Sequence, residues 1–494
     1  MIKIENKILR KQPKFWNHAL FHPTDAVEDP WGKRILDRMS DDGAIKTIRI
    51  YSMFEDIVYT DENGNLCYDF RVSDLRLDYL LEKGYDLLIA YAGIPECIAR
   101  REFGGCSVAK AKTRYKGKMF NTNLPTDFAL WEEVCFQYTK HNIERYGLDV
   151  VSKWHLHCWN EPDCELFFMK GVDADKEQVL RATEYCKLYD AFIRGAERAS
   201  KELTLGGPAL AGRLTFFEVF LKHVKDTNAR LDFISMHIYG TGRELIISGE
   251  RPICTKDIFK IYDERMEIIR SYGFEHLPVL IDEWGMSTAG FYNIEECPDF
   301  IKRENEVFSA YFVKMISEFV HRADKIEMLM ICLSGQHEMV TDFSGFRNFF
   351  TLNFIAKPIY NAHILASKLG ADLLCARCDN ENISIVPTRN ENGDLAVLLS
   401  YSSEYFEENI PHMMETVVFE ENVANKTLTV WCIDKNTTNP YRLYQKMGIG
   451  TPTDEELKLL REEGRLKPVK VQGGNVPLVL HLTPNCTYLI TVTK

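Results

Sequence analysis

With 494 residues, 45% of them hydrophobic and 27% charged, the chain holds enough apolar material for one large core and a smaller accessory one. A formal net charge of −12 argues against a nucleic-acid partner and leaves no polybasic patch for a membrane surface. No stretch reaches the roughly 18 apolar residues that a spanning helix needs.

In chain order, short β-rich runs alternate with longer amphipathic stretches. The chain begins Met-Ile-Lys-Ile-Glu-Asn-Lys-Ile-Leu-Arg, where charges break every apolar run, so no secretory leader is expected. A weak strand candidate at 15–21 is followed by stronger runs at 46–53 (KTIRIYSM), 85–91 (YDLLIAY) and 153–159 (KWHLHCW). Further runs lie at 203–210 (LTLGGPAL), 231–239 (LDFISMHIY), 277–284 (LPVLIDEW) and 326–333 (IEMLMICL). Stretches between them, such as 127–146 and 175–201, carry apolar residues at helical spacing. Eight β-then-α units over 1–370 predict an α/β fold, a (β/α)8 TIM barrel with insertions. Periodicity alone also allows an open, doubly wound sheet.

The pattern changes after Gly370, where segments such as ISIVPT, DLAVLLSY, TLTVWCI and TYLITVT are separated by Asn, Gly and Pro turns. They predict an accessory all-β sandwich over 371–494, which the extreme N-terminus is free to join. One helix is expected at 453–463, opened by the capping sequence Thr-Asp-Glu-Glu. Fourteen cysteines lack paired spacing, and several lie in apolar runs where a thiol behaves as a small hydrophobe. Without a leader, the glycosylation-type triplets at Asn382, Asn425, Asn436 and Asn485 carry no weight, and a cytoplasmic location is expected.

Catalytic groups of such a barrel sit at the C-terminal ends of its strands. Two carboxylates stand there: Glu161, ending KWHLHCWNEP, and Glu283, ending LPVLIDEWG, with Pro162 and Gly285 expected to stop the two strands. About three βα units apart, they belong to strands four and seven, where two carboxylates can flank one bond. Hydrolysing a glycoside through a covalent intermediate needs such a pair roughly 5–5.5 Å apart, one protonated and one ionised. Each glutamate alone could equally be a salt-bridged rim residue. Alternation puts His155, His157, Trp159 and Glu161 on one face, Ser235, His237 and Tyr239 on another, and Arg49 with Tyr51 on a third. A mouth lined by such groups suits a polyhydroxylated ligand. His155-Leu156-His157 also admits a zinc reading, but lies below the strand end and lacks a convincing third ligand, so no metal and no cofactor is expected.

The stretch WHLHCWNEPD resembles the Trp-Asn-Glu-Pro signature of the large retaining glycosidase clan with (β/α)8 barrels. More closely, the whole chain resembles glycoside hydrolase family 39, the β-xylosidase and α-L-iduronidase family. The matching segments run in order from ENGNLCYDF and HNIERYG through GGPA and DFISMHIY to NPYRLYQKMG. The resemblance implies that Glu161 is the acid/base, Glu283 the nucleophile and Asn160 the ligand of the sugar's 2-hydroxyl. It places His237 and Tyr239 in the sugar site. Arg49, Tyr51, His157, Trp284 and, by a loose match, Glu338 complete the candidate substrate-binding set.

The chain departs from the family in three places. It has Arg49-Ile50-Tyr51-Ser52 for the usual Arg-x-His-Gly, and His157 for a Glu. At strand eight, Met330-Ile331-Cys332-Leu333-Ser334 stands where an aromatic-rich run is usual. The expected activity is double-displacement hydrolysis of terminal or short-oligosaccharide bonds, β-xylosidase-like by default. An α-L-iduronide, β-galactoside or arabinoside is the alternative; for an iduronide, Arg49 and Arg347 are the candidate carboxylate ligands. A non-catalytic carbohydrate-binding barrel is the reading from another class, disfavoured because both glutamates are kept. A carbohydrate is the expected partner, and the resemblance makes a homo-oligomer plausible.

Overall fold

The computed structural model describes residues 1–21, 30–103, 105–107, 119–288, 290, 292–322, 325–333 and 339–494. Eight parallel strands close into a barrel: β1 (His18–Leu20), β2 (Thr47–Tyr51), β3 (Asp86–Tyr91), β4 (His155–Cys158), β5 (Thr204–Leu210), β6 (Phe233–Thr241), β7 (Val279–Ser287) and β8 (Ile326–Cys332). Closure runs through β8 to β1, with Met330 opposite His18, and through β1 to β2, with Leu20 opposite Arg49. The open-sheet alternative is thereby excluded. Each strand is followed by a helix: α1 (Pro30–Asp41), α2 (Arg71–Glu82), α3 (Phe128–Tyr146), α4 (Gln178–Ala199), α5 (Leu214–Thr227), α6 (Lys256–Tyr272), α7 (Glu306–Arg322) and α8 (Pro358–Ser367).

Local chemistry explains the helix ends. The Asp127 side chain accepts from the Ala129 N–H to cap α3, which stops at Gly147 with φ 87°. A left-handed Gly273 closes α6. Helices α3 and α4 approach so closely at Gly195 that a Cβ there would meet the Glu132 carbonyl at 2.4 Å. Outward-facing strand residues and the inner helix faces form the main core, buried on both sides as parallel strands require. Inside the barrel, its floor is a small apolar layer of Leu88, Phe233, Leu280, Met328 and Met330.

Two short two-stranded sheets, Val58–Thr60 with Leu66–Tyr68 and Gly105–Ser107 with Met119–Asn121, stand apart, and nine further strands make one sheet. Its order is Pro468–Gly473, Thr427–Ile433, Cys486–Thr493, Leu395–Tyr401, Ile383–Arg389, Asp372–Arg377, Ile2–Lys11, Met413–Phe419, Leu478–Leu482. Its two ends share one core, in which Leu428 and Val430 join Leu478 and Leu480, so the single sheet folds over into two layers. The N-terminal strand lies inside it, antiparallel to Asp372–Arg377 and parallel to Met413–Phe419. Helix Asp454–Glu463 opens with a full capping box between Thr453 and Glu456. The NPYRLYQKMG segment forms helix Pro440–Met447, and both Asn439 and Arg442 bond the buried Glu306 at the start of α7. That contact ties the sheet module to the barrel.

Candidate active site

The end of β4 breaks strand alternation. Trp159 and Glu161 both adopt left-handed backbone, φ 69° and 45°, conformations that cost about 1–3 kcal/mol each for non-glycine residues. Trp159 therefore leaves the face it would share with His157. It packs outward against Trp131 and Phe168, its Nε1 donating to the Phe167 carbonyl at 3.0 Å. The same twist sends both Asn160 and Glu161 to the mouth. Neighbouring loops hold the turn: Glu161 N donates to Ala209 O, Ala209 N donates to Ser235 Oγ, and Asp163 accepts from the amides of Ala211, Gly212 and Arg213.

Strand β7 reaches the same rim differently. Against β6 its register runs Met236–Ile281 and then His237–Glu283, leaving Asp282 as an extra residue, and the pairing with β8 skips the same position. This is a β-bulge, which turns two successive side chains to one face. Asp282 and Glu283 thus both point into the barrel. The strand does not stop at Gly285 but continues to Ser287. A Cβ at Gly285 would sit 3.2 Å from both Arg347 Cδ and the Tyr239 ring, so glycine makes room for them.

Above the apolar floor the interior is polar. Arg49 of β2 donates from Nη1 to Glu283 Oε1 and from Nη2 to Asn160 Oδ1, each at 2.7 Å. Its Nε donates to His157 Nε2 at 3.3 Å and lies 3.1 Å from Asp282 Oδ2. Tyr239 OH donates to the other Glu283 oxygen at 2.5 Å, and His237 Nδ1 lies 2.7 Å from Glu161 Oε1 and 3.5 Å from Glu283 Oε2. One donor atom each from Glu161, His237 and Glu283 fit within 4.8 Å of one another. The Glu161 and Glu283 side chains keep 15% and 9% of their surface open, enough for a ligand to reach them.

The two glutamates hold protons differently. Burial pushes the Glu161 carboxyl up, and the neighbouring Glu283 charge adds to this, against the pull of His237. Burial acts on Glu283 too, but His237, Arg49 and the Tyr239 hydrogen bond outweigh it and hold that carboxyl below its ordinary range. Burial and the Arg49 charge keep the His157 imidazole neutral, consistent with its accepting from Arg49.

Of the residues singled out in the sequence, Arg49, Asn160, Tyr239 and Glu283 form one hydrogen-bonded set and His237 with Glu161 another, joined by the contact between His237 and Glu283. Tyr51 lies beside it, its ring 5.4 Å from the Arg49 guanidinium. His157 is one layer lower, in contact with Arg49 and Asp282 and without a bond to Glu161. Trp284 is a correction. The bulge turns it outward, where it is fully buried, stacked on Phe312 of α7 at 5.8 Å and edge-on to Phe308. Glu338 lies outside the described residues. His155 and His157 part company, the first pairing with Glu327 at 3.1 Å low in the barrel. Among the described residues the one compact donor trio is Glu161, His237 and Glu283. Sequence reasoning missed Asp282, whose signal was the Asp-Glu doublet inside an apolar strand. It also named Arg347 without its setting: almost fully buried, 4.6 Å above the Tyr239 ring.

Comparison with known proteins agrees with this geometry. The chain is 25% identical to a β-xylosidase of Caldicellulosiruptor saccharolyticus, across 98% of this chain and 96% of that one. It is 31% identical to the human α-L-iduronidase over 144 residues, 27% of this chain and 21% of that one. The crystal structure of a monomeric β-xylosidase from Caulobacter crescentus CB15 superposes with a TM-score of 0.82 at 20% identity, covering 100% of this chain and 99% of that one. The model of glycosyl hydrolases family 39 matches residues 1–477. A match of that extent, on a closed barrel with two glutamates at its mouth, shows that the chain belongs to glycosyl hydrolases family 39 and is a retaining O-glycosyl hydrolase.

Proposed function

We propose that this enzyme releases terminal or short-oligosaccharide sugar units by double displacement, with Glu161 as acid/base and Glu283 as nucleophile. The observation that carries the reading is the close approach of two carboxylates whose surroundings pull their protons in opposite directions. An ionised Glu283, held by Arg49 and Tyr239, attacks the anomeric carbon while a protonated Glu161 donates to the departing oxygen. A glycosyl-enzyme ester forms and the aglycone leaves with the proton. Glu161, now ionised, takes a proton from water, whose oxygen attacks the same carbon and frees Glu283. Asn160, oriented by Arg49, bonds the hydroxyl next to the reacting carbon in this reading.

A β-xyloside is the default substrate, supported by the relative matched over nearly its whole length. One observation favours a second reading, a uronide. Arg347 brings a buried cation to the rim beside Tyr239, where a carboxylate on the sugar could pair with it. A panel of 4-nitrophenyl glycosides tests both: β-xyloside turnover, unaffected by Arg347→Met, is expected for the first. For the second, uronide turnover should fall at least about tenfold in Arg347→Met. Activity on neither would remove both readings.

A further inference from the structure

Below the two glutamates Asp282 is completely buried, and three nitrogens from three strands converge on one of its two oxygens, Oδ2. They are Arg49 Nε at 3.1 Å, His237 Nε2 at 3.6 Å and His157 Nε2 at 3.8 Å. Among the described residues no cationic side chain approaches Asp282 more closely than Arg49 Nε, and these ion-pair contacts answer its charge. His157 contributes little to that, because its Nε2 lone pair already accepts from Arg49. Arg49, and His237 whenever its ring carries a second proton, are left as its positive partners. His237 therefore has a carboxylate on each side of its ring: Asp282 at Nε2, and Glu161 with Glu283 at Nδ1.

We infer that Asp282 is a positioning residue for the catalytic pair: its charge beside Nε2 of His237 favours a proton there and so keeps Nδ1 facing Glu161 and Glu283. The inference rests on the reading of those two glutamates given above. With Nε2–H fixed, the contact between Nδ1 and Glu161 Oε1 shares one further proton. It sits on Glu161 when that group is an acid and on the ring when it is a base, so the contact persists through both steps and the glutamate does not swing. The backbone supports this arrangement. The bulge turns Asp282 inward together with Glu283, and Arg265 of α6 donates to the His237 carbonyl, anchoring the strand from outside.

The charged or titratable groups facing His237 are Arg49 from β2, His157 and Glu161 from β4, Asp282 and Glu283 from β7, and Arg265 at its carbonyl. Burial pulls the imidazolium down, but Glu283, Asp282 and Glu161 overcome it and push its pKa up to about 10. Asp282 itself is held at about 2, because Arg49 and His237 outweigh its own burial.

The test uses the full chain labelled with 15N-histidine, with the His237 signals assigned by their loss in His237→Asn. In the wild type the ring should titrate well above the ordinary value of about 6.5. Asp282→Asn, nearly isosteric, should lower that pKa by at least about one unit. It should also lower kcat for aryl glycosides with poor leaving groups by about tenfold, with little change for good ones and in KM. An unchanged His237 titration in Asp282→Asn overturns the inference. Should that variant not fold, Asp282→Ser replaces it in the same titration: a lowered His237 pKa supports the inference and an unchanged one overturns it. The titration needs no turnover, so a failure of the catalytic reading would show separately, as activity surviving in Glu283→Ala.

Discussion

The ends of β4 and β7 each deliver a glutamate to the same rim, but by different backbone devices. At β4 the chain leaves the sheet through two left-handed residues, and Glu161 rides on a strained turn pinned by neighbouring loops. At β7 the strand stays paired with β6 to Ser287 and with β8 to Trp284, and a bulge presents Glu283 from within the sheet. The difference matches the two tasks. A nucleophile has to stay ionised and aimed, so both its oxygens are held, by Arg49 and Tyr239. An acid/base has to gain and lose a proton, so it carries one contact to a titratable ring and more open surface.

The comparison can be broken most severely at the fixed end. Glu283→Ala should lower kcat/KM by at least about 10^4-fold on every aryl glycoside, because no covalent intermediate can form. An unchanged thermal unfolding midpoint would show that the loss is chemical. Glu161→Ala should cost about 10^2–10^4-fold on substrates with poor leaving groups, and much less in the first step when the leaving group needs no proton. Azide should then rescue the second step, giving a β-glycosyl azide from a β-glycoside; equal losses for all leaving groups and no rescue would remove Glu161 from its role.

Arg49→Ala sharpens the contrast through charge. It leaves Asp282 and Glu283 buried without their shared cation, and the expected cost is about 3–5 kcal/mol in urea unfolding. Because Arg49 lowers the Glu283 pKa, its removal should raise that pKa and move the acid limb of the pH–rate profile upward. A limb that stays put would mean that His237 and Tyr239 suffice. The smallest effect on catalysis is expected from Trp284→Phe. Its ring packs on α7, so stability should fall by about 1–3 kcal/mol while KM changes less than about twofold. A large rise in KM would return Trp284 to the sugar site.

Much of this was readable in the sequence because parallel strands, buried on both faces, appear as short near-continuous apolar runs. All eight were visible, and Glu161 and Glu283 stood out as carboxylates where such runs end. What alternation could not supply was the two places where the backbone departs from it. Trp159 and Trp284 were assigned inward by counting or by adjacency, yet the left-handed turn and the bulge carry both outward. Asp282 was overlooked because a regular strand sends neighbouring residues to opposite faces, and nothing local in Leu-Ile-Asp-Glu-Trp announces a bulge. His157 was placed beside Glu161 on the same count; its partner is the Arg49–Asp282 pair instead. The N-terminal segment gave only a weak signal, since Lys-Ile-Glu-Asn-Lys carries too many charges to look like an interior strand.

That segment, Ile2–Lys11, has a consequence for how the chain is made. It is synthesised well before its partners Asp372–Arg377 and Met413–Phe419. About 360 residues separate it from the nearer one, and at ~5–20 residues per second its edges wait roughly 20–70 s. A bare apolar strand would invite pairing with other nascent chains for all that time. Lys3, Glu5, Lys7, Arg10 and Lys11, interleaved with Ile2, Ile4, Ile8 and Leu9, are the gatekeepers that keep it in solution until the last module arrives to receive it.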